Sequence, residues 1–484
     1  MRTETGRPRR PWRTRIARVL LTAALGSLLA ATSASAIQNV TRTFLPSIKA
    51  TPKEPLRLAT VGVLKFGSPT AKNVLVLEPG TSAGAGYFVS LAKWLVQKAP
   101  GWQVWSVERR ENLLEDQSRL RKLKKGTVTP EEFFNYYLGW LEKGSITTHV
   151  HEVEESRVPF ARQWGMDVAV EDLHVVVDAA KELGGKVVLG GHSLGGSVVT
   201  AYATWDFAGK PGAEGLSGLV YDDGGSSPIP VSAKEAEESV SKLAGKTPWL
   251  AFGGIQAPLL GLFGMVGASL AHIAPNEPAL LGKWLFLPES LKTKNAKGEI
   301  VNSTNEAGFA YGVNVGTSPP NLLAAQVHAG VGLREPANEG EPWTWNGEGA
   351  ITPIQRYAEM LSGWPLLNTD GEEWYFPERL TIDTGAVAEG NANPAQEVLG
   401  EHATHGHDLP TSLHILAINS ELDKVFAPGG GTLKAAEILA EQSKIPNENL
   451  TLIEVENTYA HNDPAGAYPN NEFVSHLVPF LEGL

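Results

Sequence analysis

The chain has 484 residues, of which 42% are hydrophobic and 19% charged, enough to bury a substantial core and too apolar for a disordered polymer. It carries a formal net charge of −12 and no cysteine. Disulfides, thiol catalysis and cysteine-bound metal are therefore excluded, and an acidic surface is unsuited to nucleic acid.

Residues 1–36 read as a secretory signal. Seven arginines (Arg2, Arg7, Arg9, Arg10, Arg13, Arg15, Arg18) precede the apolar run 19–31, and Ala34-Ser35-Ala36 supplies small residues for cleavage. The mature chain then begins near Ile37, carries 34 basic against 52 acidic residues, a formal −18, and is expected in the extracellular or periplasmic space. Arg9-Arg10 raises twin-arginine export as an alternative to the general route, although Pro11-Trp12-Arg13 follows the pair where a hydrophobic pattern is usual.

Beyond the signal, 56–66 (LRLATVGVLKF) alternates as an exposed-edge strand does, and 73–77 (NVLVL) is a continuous run suited to a strand buried on both faces. That run ends in Glu78-Pro79-Gly80-Thr81-Ser82-Ala83-Gly84. A helix follows with Tyr87, Phe88, Leu91, Trp94 and Leu95 on one face, then a short strand over 103–107. Residues 108–164 are more polar, with a basic run at 119–125 read as a solvated helix face and an aromatic helix over 131–143. An amphipathic helix over 166–183 leads into a strand over 186–189, and another strand covers 218–221, closed by Asp222-Asp223-Gly224-Gly225. This strand-helix repetition predicts a mostly parallel sheet flanked by helices.

The rhythm stops between residues 226 and 410, a stretch rich in glycine, proline and tryptophan that is expected to form a lid or cap inserted into one catalytic domain (37–225 and 411–484). Within it 247–273 has no charged side chain; five glycines and two prolines favour an apolar cap or a buried hairpin of short helices over a membrane span. The rhythm resumes with strands over 413–418 and 450–455 and helices over 432–442 and 472–481.

The chemistry centres on Gly191-His192-Ser193-Leu194-Gly195, a G-x-S-x-G pentapeptide between an apolar strand and a helix. Small residues two before and two after Ser193 permit the tight turn that exposes a nucleophile, and the helix behind it aims its dipole and free N–H groups at a developing oxyanion. A serine hydroxyl needs a base held by a carboxylate. The loops after the two C-terminal strands offer Asp423 and His461, and the order Ser193, Asp423, His461 is that of an elbow completed by later strands. Glu421, Asp222 and Asp223 are rival acids. A second group, His402, His405, His407 and Asp408, has zinc-ligand types but lacks the continuation of a metallo-β-lactamase signature, and reads as a solvated loop; His192 reads as packing beneath the nucleophile.

On these residues the chain resembles the α/β-hydrolase superfamily, in particular its secreted lipase- and esterase-like members, over about 56–109, 166–224 and 411–484. The resemblance implies an α/β-hydrolase fold with the lid insertion placed after the strand that follows the nucleophile helix. It also implies Ser193 as nucleophile, His461 as general base and then acid, Asp423 as the orienting carboxylate, and oxyanion N–H groups from Leu194 and from Thr81, or Ser82 if the turn is shifted by one. Pro79-Gly80 stands where many relatives carry His-Gly, so the first donor stays open between those two. The expected reaction is hydrolysis of a small-molecule or lipid-like ester through an acyl-enzyme, with no cofactor, no metal and no membrane span after signal cleavage. A peptidase or amidase of the same fold, or a secreted binding protein on that scaffold, are the alternatives.

Overall fold

The computed structural model describes residues 40–252, 255–256, 258–426 and 431–484. The expected signal segment lies outside them.

Eight strands form one sheet: β1 (Thr41–Pro46), β2 (Thr60–Phe66), β3 (Asn73–Glu78), β4 (Trp102–Glu108), β5 (Val187–His192), β6 (Gly218–Asp222), β7 (His414–Ile418) and β8 (Leu450–Ile453), in the order β1-β2-β4-β3-β5-β6-β7-β8. From β4 to β8 every neighbouring pair is parallel, while β1–β2 and β2–β4 are antiparallel. The 56–66 stretch is not the edge: β1, which lacks a continuous apolar run, pairs outside β2 and leaves β2 mostly buried.

The parallel strands are apolar throughout because both faces are covered. Along β3, Val74 and Val76 enter one core, while Leu75 and Leu77 enter the other; along β7, Ile415 and Ala417 are divided from Leu416 and Ile418 in the same way. Helices Met166–Lys181, Leu194–Thr204 and Gly431–Gln442 supply the first face, and Val89–Lys98 with Glu472–Gly483 the second.

Residues 226–410 add no strand to this sheet among the described residues. They are mostly short helices and loops, and their packing is shared with the sheet: Ala268, Phe309 and Tyr357 belong to the same core as Leu75 and Val104. The uncharged stretch forms a two-residue-strand hairpin and then one helix, Leu259–Ile273, in place of a hairpin of short helices. No helix among the described residues is long and apolar enough to cross a membrane.

Candidate active site

Strand β5 ends at His192, Ser193 takes φ 56° and ψ −128°, and the helix Leu194–Thr204 begins at the next residue. A side-chain residue at positive φ costs about 1–3 kcal/mol, and such strain concentrates where function needs a particular geometry. The glycines of the motif are required by contact: a Cβ on Gly191 would lie 2.3 Å from the Gly195 carbonyl oxygen, and one on Gly195 would lie 2.2 Å from that of Glu78. The Ser193 N–H donates to the Asp222 carbonyl at 3.0 Å. The N–H of Leu194 belongs to a helical first turn, which has no intrahelical acceptor.

Sheet register brings the remaining groups to this edge. His192 pairs with Asp222, and Asp222 with Ile418, so Ser193, Asp223 and Asn419 lie one step beyond the sheet on three adjacent strands. Asp223, also at positive φ (48°), donates its N–H to the Ile418 carbonyl, and its Oδ2 accepts from the Ser420 hydroxyl and from Nδ1 of His461, the latter at 2.5 Å. Since a carboxylate can only accept, Nδ1 carries the proton and Nε2 is the basic nitrogen.

The carboxylate on His461 is thus Asp223, and the expected pairing with Asp423 is not formed. Asp423 turns to the start of the next helix, where it accepts from the Thr432 N–H at 2.8 Å and the Thr432 hydroxyl at 3.3 Å. Burial, then the charge of Asp223, pushes its carboxyl up to about 6. The physical reason is strand order: β6 lies beside the elbow strand, and β7 is one strand further out. Of the other rivals, Asp222 points into the interior without a hydrogen-bond partner among the described residues, and burial, then Asp223, holds it well above the usual carboxylate range.

The turn after β3 approaches Ser193 closely, a Cβ on Gly80 falling 2.8 Å from Cβ of Ser193. Arg109, at the end of β4 and buried, organises it. Its guanidinium donates to the carbonyls of Pro79 (2.8 Å), Gly80 (2.7 Å) and Ala83 (3.0 Å), to Glu78 (2.8 Å) and to Glu373. With these carbonyls drawn inward, the turn passes through Ser82 at φ 54°, and Thr81 and Ser82 both border the cavity at Ser193. Burial works against the Arg109 charge, but Glu373 and Glu78 hold it above its ordinary value; burial pushes Glu78 up to about 7 against Arg109. Only the placement of charged residues at the ends of buried strands hints at this arrangement in the sequence.

Ser193, His461, Thr81 and Ser82 line one cavity of about 310 Å³. No hydrogen bond joins Ser193 to His461. Beneath them, Nε2 of His192 lies 3.1 Å from the His461 carbonyl and 3.3 Å from the Tyr87 hydroxyl, which donates to Asn462 at 2.9 Å. Burial, then the nearby His461, drives His192 well below the usual histidine range, so the ring is neutral and its Nε2–H supports the His461 backbone. His192 packs as expected and also makes hydrogen bonds. In the histidine-rich loop, His405 pairs with Asp206 and Asp408 at 3.4 Å and His402 stacks edge-on to Trp205. No group of three potential metal ligands is found among the described residues.

No protein-family model matches the chain, and no curated protein matches it. Solved structures similar to it include a putative lipase from Sulfolobus solfataricus (14% identity, 92% of this chain and 94% of that chain, TM-score 0.44) and a highly thermostable carboxyl esterase from Bacillus coagulans (11%, 92% and 98%, 0.39). Epoxide Hydrolase A from Mycobacterium thermoresistibile is another (13%, 92% and 99%, 0.39). The eight-stranded, mostly parallel sheet with its antiparallel first strands, the covering helices and the serine-bearing turn after β5 give this chain the α/β-hydrolase fold.

Proposed function

We propose that the chain is a secreted serine hydrolase that cleaves carboxylic esters with an apolar acyl group, using Ser193, His461 and Asp223. The observation that carries the reading is His461, held by the buried Asp223, lining one cavity together with the strained Ser193. Ser193 Oγ attacks the ester carbonyl while its proton passes to Nε2 of His461, whose Nδ1–H is held by Asp223. The N–H of Leu194 and that of Thr81 or Ser82 take the charge on the carbonyl oxygen. The alcohol leaves with the proton from Nε2; water, deprotonated by the same nitrogen, then attacks the acyl-enzyme, and the acid departs. Catalytic hydrogen bonds often tighten only around bound substrate, which accounts for the open Ser193–His461 contact.

Residues 226–410 serve as the cap in this reading. Phe263, Leu270 and Phe309 from that stretch wall the cavity, which favours an acyl chain over a polar group beside the reacting carbonyl.

A fluorophosphonate probe is expected to label the wild type and not Ser193→Ala, with p-nitrophenyl ester hydrolysis lost in the same variant. Folded wild type that takes no label would defeat the hydrolase reading, and faster cleavage of peptide anilides than of esters would defeat the ester assignment.

A further inference from the structure

Glu372 stands in the wall of the cavity onto which Ser193 opens. Its backbone is pinned on both sides: the Glu372 N–H donates to Asp370 at 2.8 Å, the Glu373 N–H to the Ser82 carbonyl at 2.8 Å, and Glu372 bridges to Ala83 beside the serine turn. Its carboxyl sits in a notch in the helix Leu259–Ile273. The notch exists because residue 264 is glycine, a Cβ there falling 1.8 Å from Oε1, and Gly264 also borders the cavity.

The neighbouring acids are all engaged. Glu373 accepts from Arg109, and Asp370 accepts from Gln117 and the Glu372 N–H. The Glu372 carboxyl, by contrast, accepts no hydrogen bond and pairs with no cation among the described residues; it is only partly buried and faces the cavity. A carboxyl that faces the cavity with no partner from the protein is free to take one from a bound molecule. Burial, then the charge of Asp370, holds this carboxyl well above the usual range and favours its neutral form. A neutral carboxyl has one O–H to donate and lone pairs to accept, and its complement is a group that also does both.

We propose that Glu372 is a specificity residue that binds a hydroxyl group carried on the acyl chain, so that the preferred esters have an apolar acyl part bearing a hydroxyl. The inference rests on Ser193 as the nucleophile, and it places the hydroxyl on the acyl part because that part alone stays in the cavity through both chemical steps. Glu372 takes no part in bond making or breaking.

The test compares p-nitrophenyl octanoate with its positional hydroxyoctanoates and the matching amino-substituted esters, by kcat/KM, on wild type, Glu372→Gln and Glu372→Leu. Thermal unfolding and fluorophosphonate labelling of Ser193 are followed in parallel to confirm that each variant is folded. At least one hydroxy isomer should outrun plain octanoate by about tenfold on the wild type, the worth of one good hydrogen bond. Glu372→Leu should abolish that preference and raise turnover of plain octanoate, while Glu372→Gln, which keeps a donor and an acceptor, should hold it within a few fold. The proposal is overturned if no hydroxy isomer is preferred, if the preference survives Glu372→Leu, or if an amino-substituted ester is favoured. Labelled Ser193 with no hydroxyl preference defeats this inference alone, whereas absence of both labelling and ester turnover in all three proteins defeats the hydrolase reading beneath it.

Discussion

Asp223 and Asp423 both follow buried parallel strands, yet they meet different partners. The first accepts from the imidazole of His461, and the second from the opening N–H of a helix. Their removal should therefore have different consequences. Asp223→Asn would leave Nδ1 of His461 without the acceptor that fixes its tautomer, and a loss of about 10³–10⁴ in kcat with little change in KM is expected. Asp423→Asn keeps an acceptor for Thr432, and steady-state kinetics should show kcat within about tenfold of wild type. If the two variants exchanged these phenotypes, the assignment of the acid would be wrong. Positive φ at Ser82, Ser193 and Asp223 marks the same sheet edge, so three side-chain-bearing residues hold an unfavourable backbone where the candidate chemistry takes place.

Two helices set the depth of the cavity. Leu259–Ile273 and Asn305–Val313 present Gly264, Gly267, Gly308 and Gly312 to it, so the wall is lowered at these four positions between the side chains of Phe263, Leu270 and Phe309. Gly312 has room to grow: a Cβ there would stand 3.8 Å from the Leu291 side chain, in ordinary contact. Gly312 lies in the last turn of its helix, and Gly312→Leu should leave the fold intact. It fills space that acyl carbons would use. Each buried methylene is worth about 0.8 kcal/mol, roughly a fourfold factor in binding. In a series of p-nitrophenyl esters from acetate to dodecanoate, the variant's preference should move to shorter chains, with kcat/KM for the longest falling at least tenfold relative to acetate. An unchanged chain-length profile would remove these helices from the substrate path.

Across the whole molecule, residues 226–410 are joined to the loop that carries His461. Asp463 accepts from the N–H and Nδ1 of His328, from the Thr352 hydroxyl and from the Ala460 N–H, while Asn462 donates to the carbonyls of Ala324 and Gln326. Burial opposes a charge on His328, but the hydrogen bond and charge of Asp463, with a smaller contribution from Glu421, raise its pKa above the ordinary value. A histidine raised in the folded state stabilises the fold fully below its unfolded pKa of about 6.5, and that contribution is lost as pH rises through the folded value. The thermal-unfolding advantage of wild type over His328→Gln should thus be largest near pH 6 and shrink toward pH 9; a constant difference would show that the pair is not charged in the folded protein.

Much of this molecule is legible in single residues and short periods. The buried strands, the elbow at Ser193 and the histidine after the last strand are all local patterns, because a strand covered on both faces must be apolar and a tight turn behind a nucleophile must be small. The edge strand β1 was hidden because half-exposed residues impose no such pattern, and Glu372 because nothing local marks a cavity wall. Which aspartate reaches His461 was decided in three dimensions. Both candidates follow buried parallel strands, Asp223 directly after β6 and Asp423 five residues after β7, and the lateral order of strands, set by hydrogen bonding between segments far apart in sequence, places Asp223 one strand nearer to Ser193.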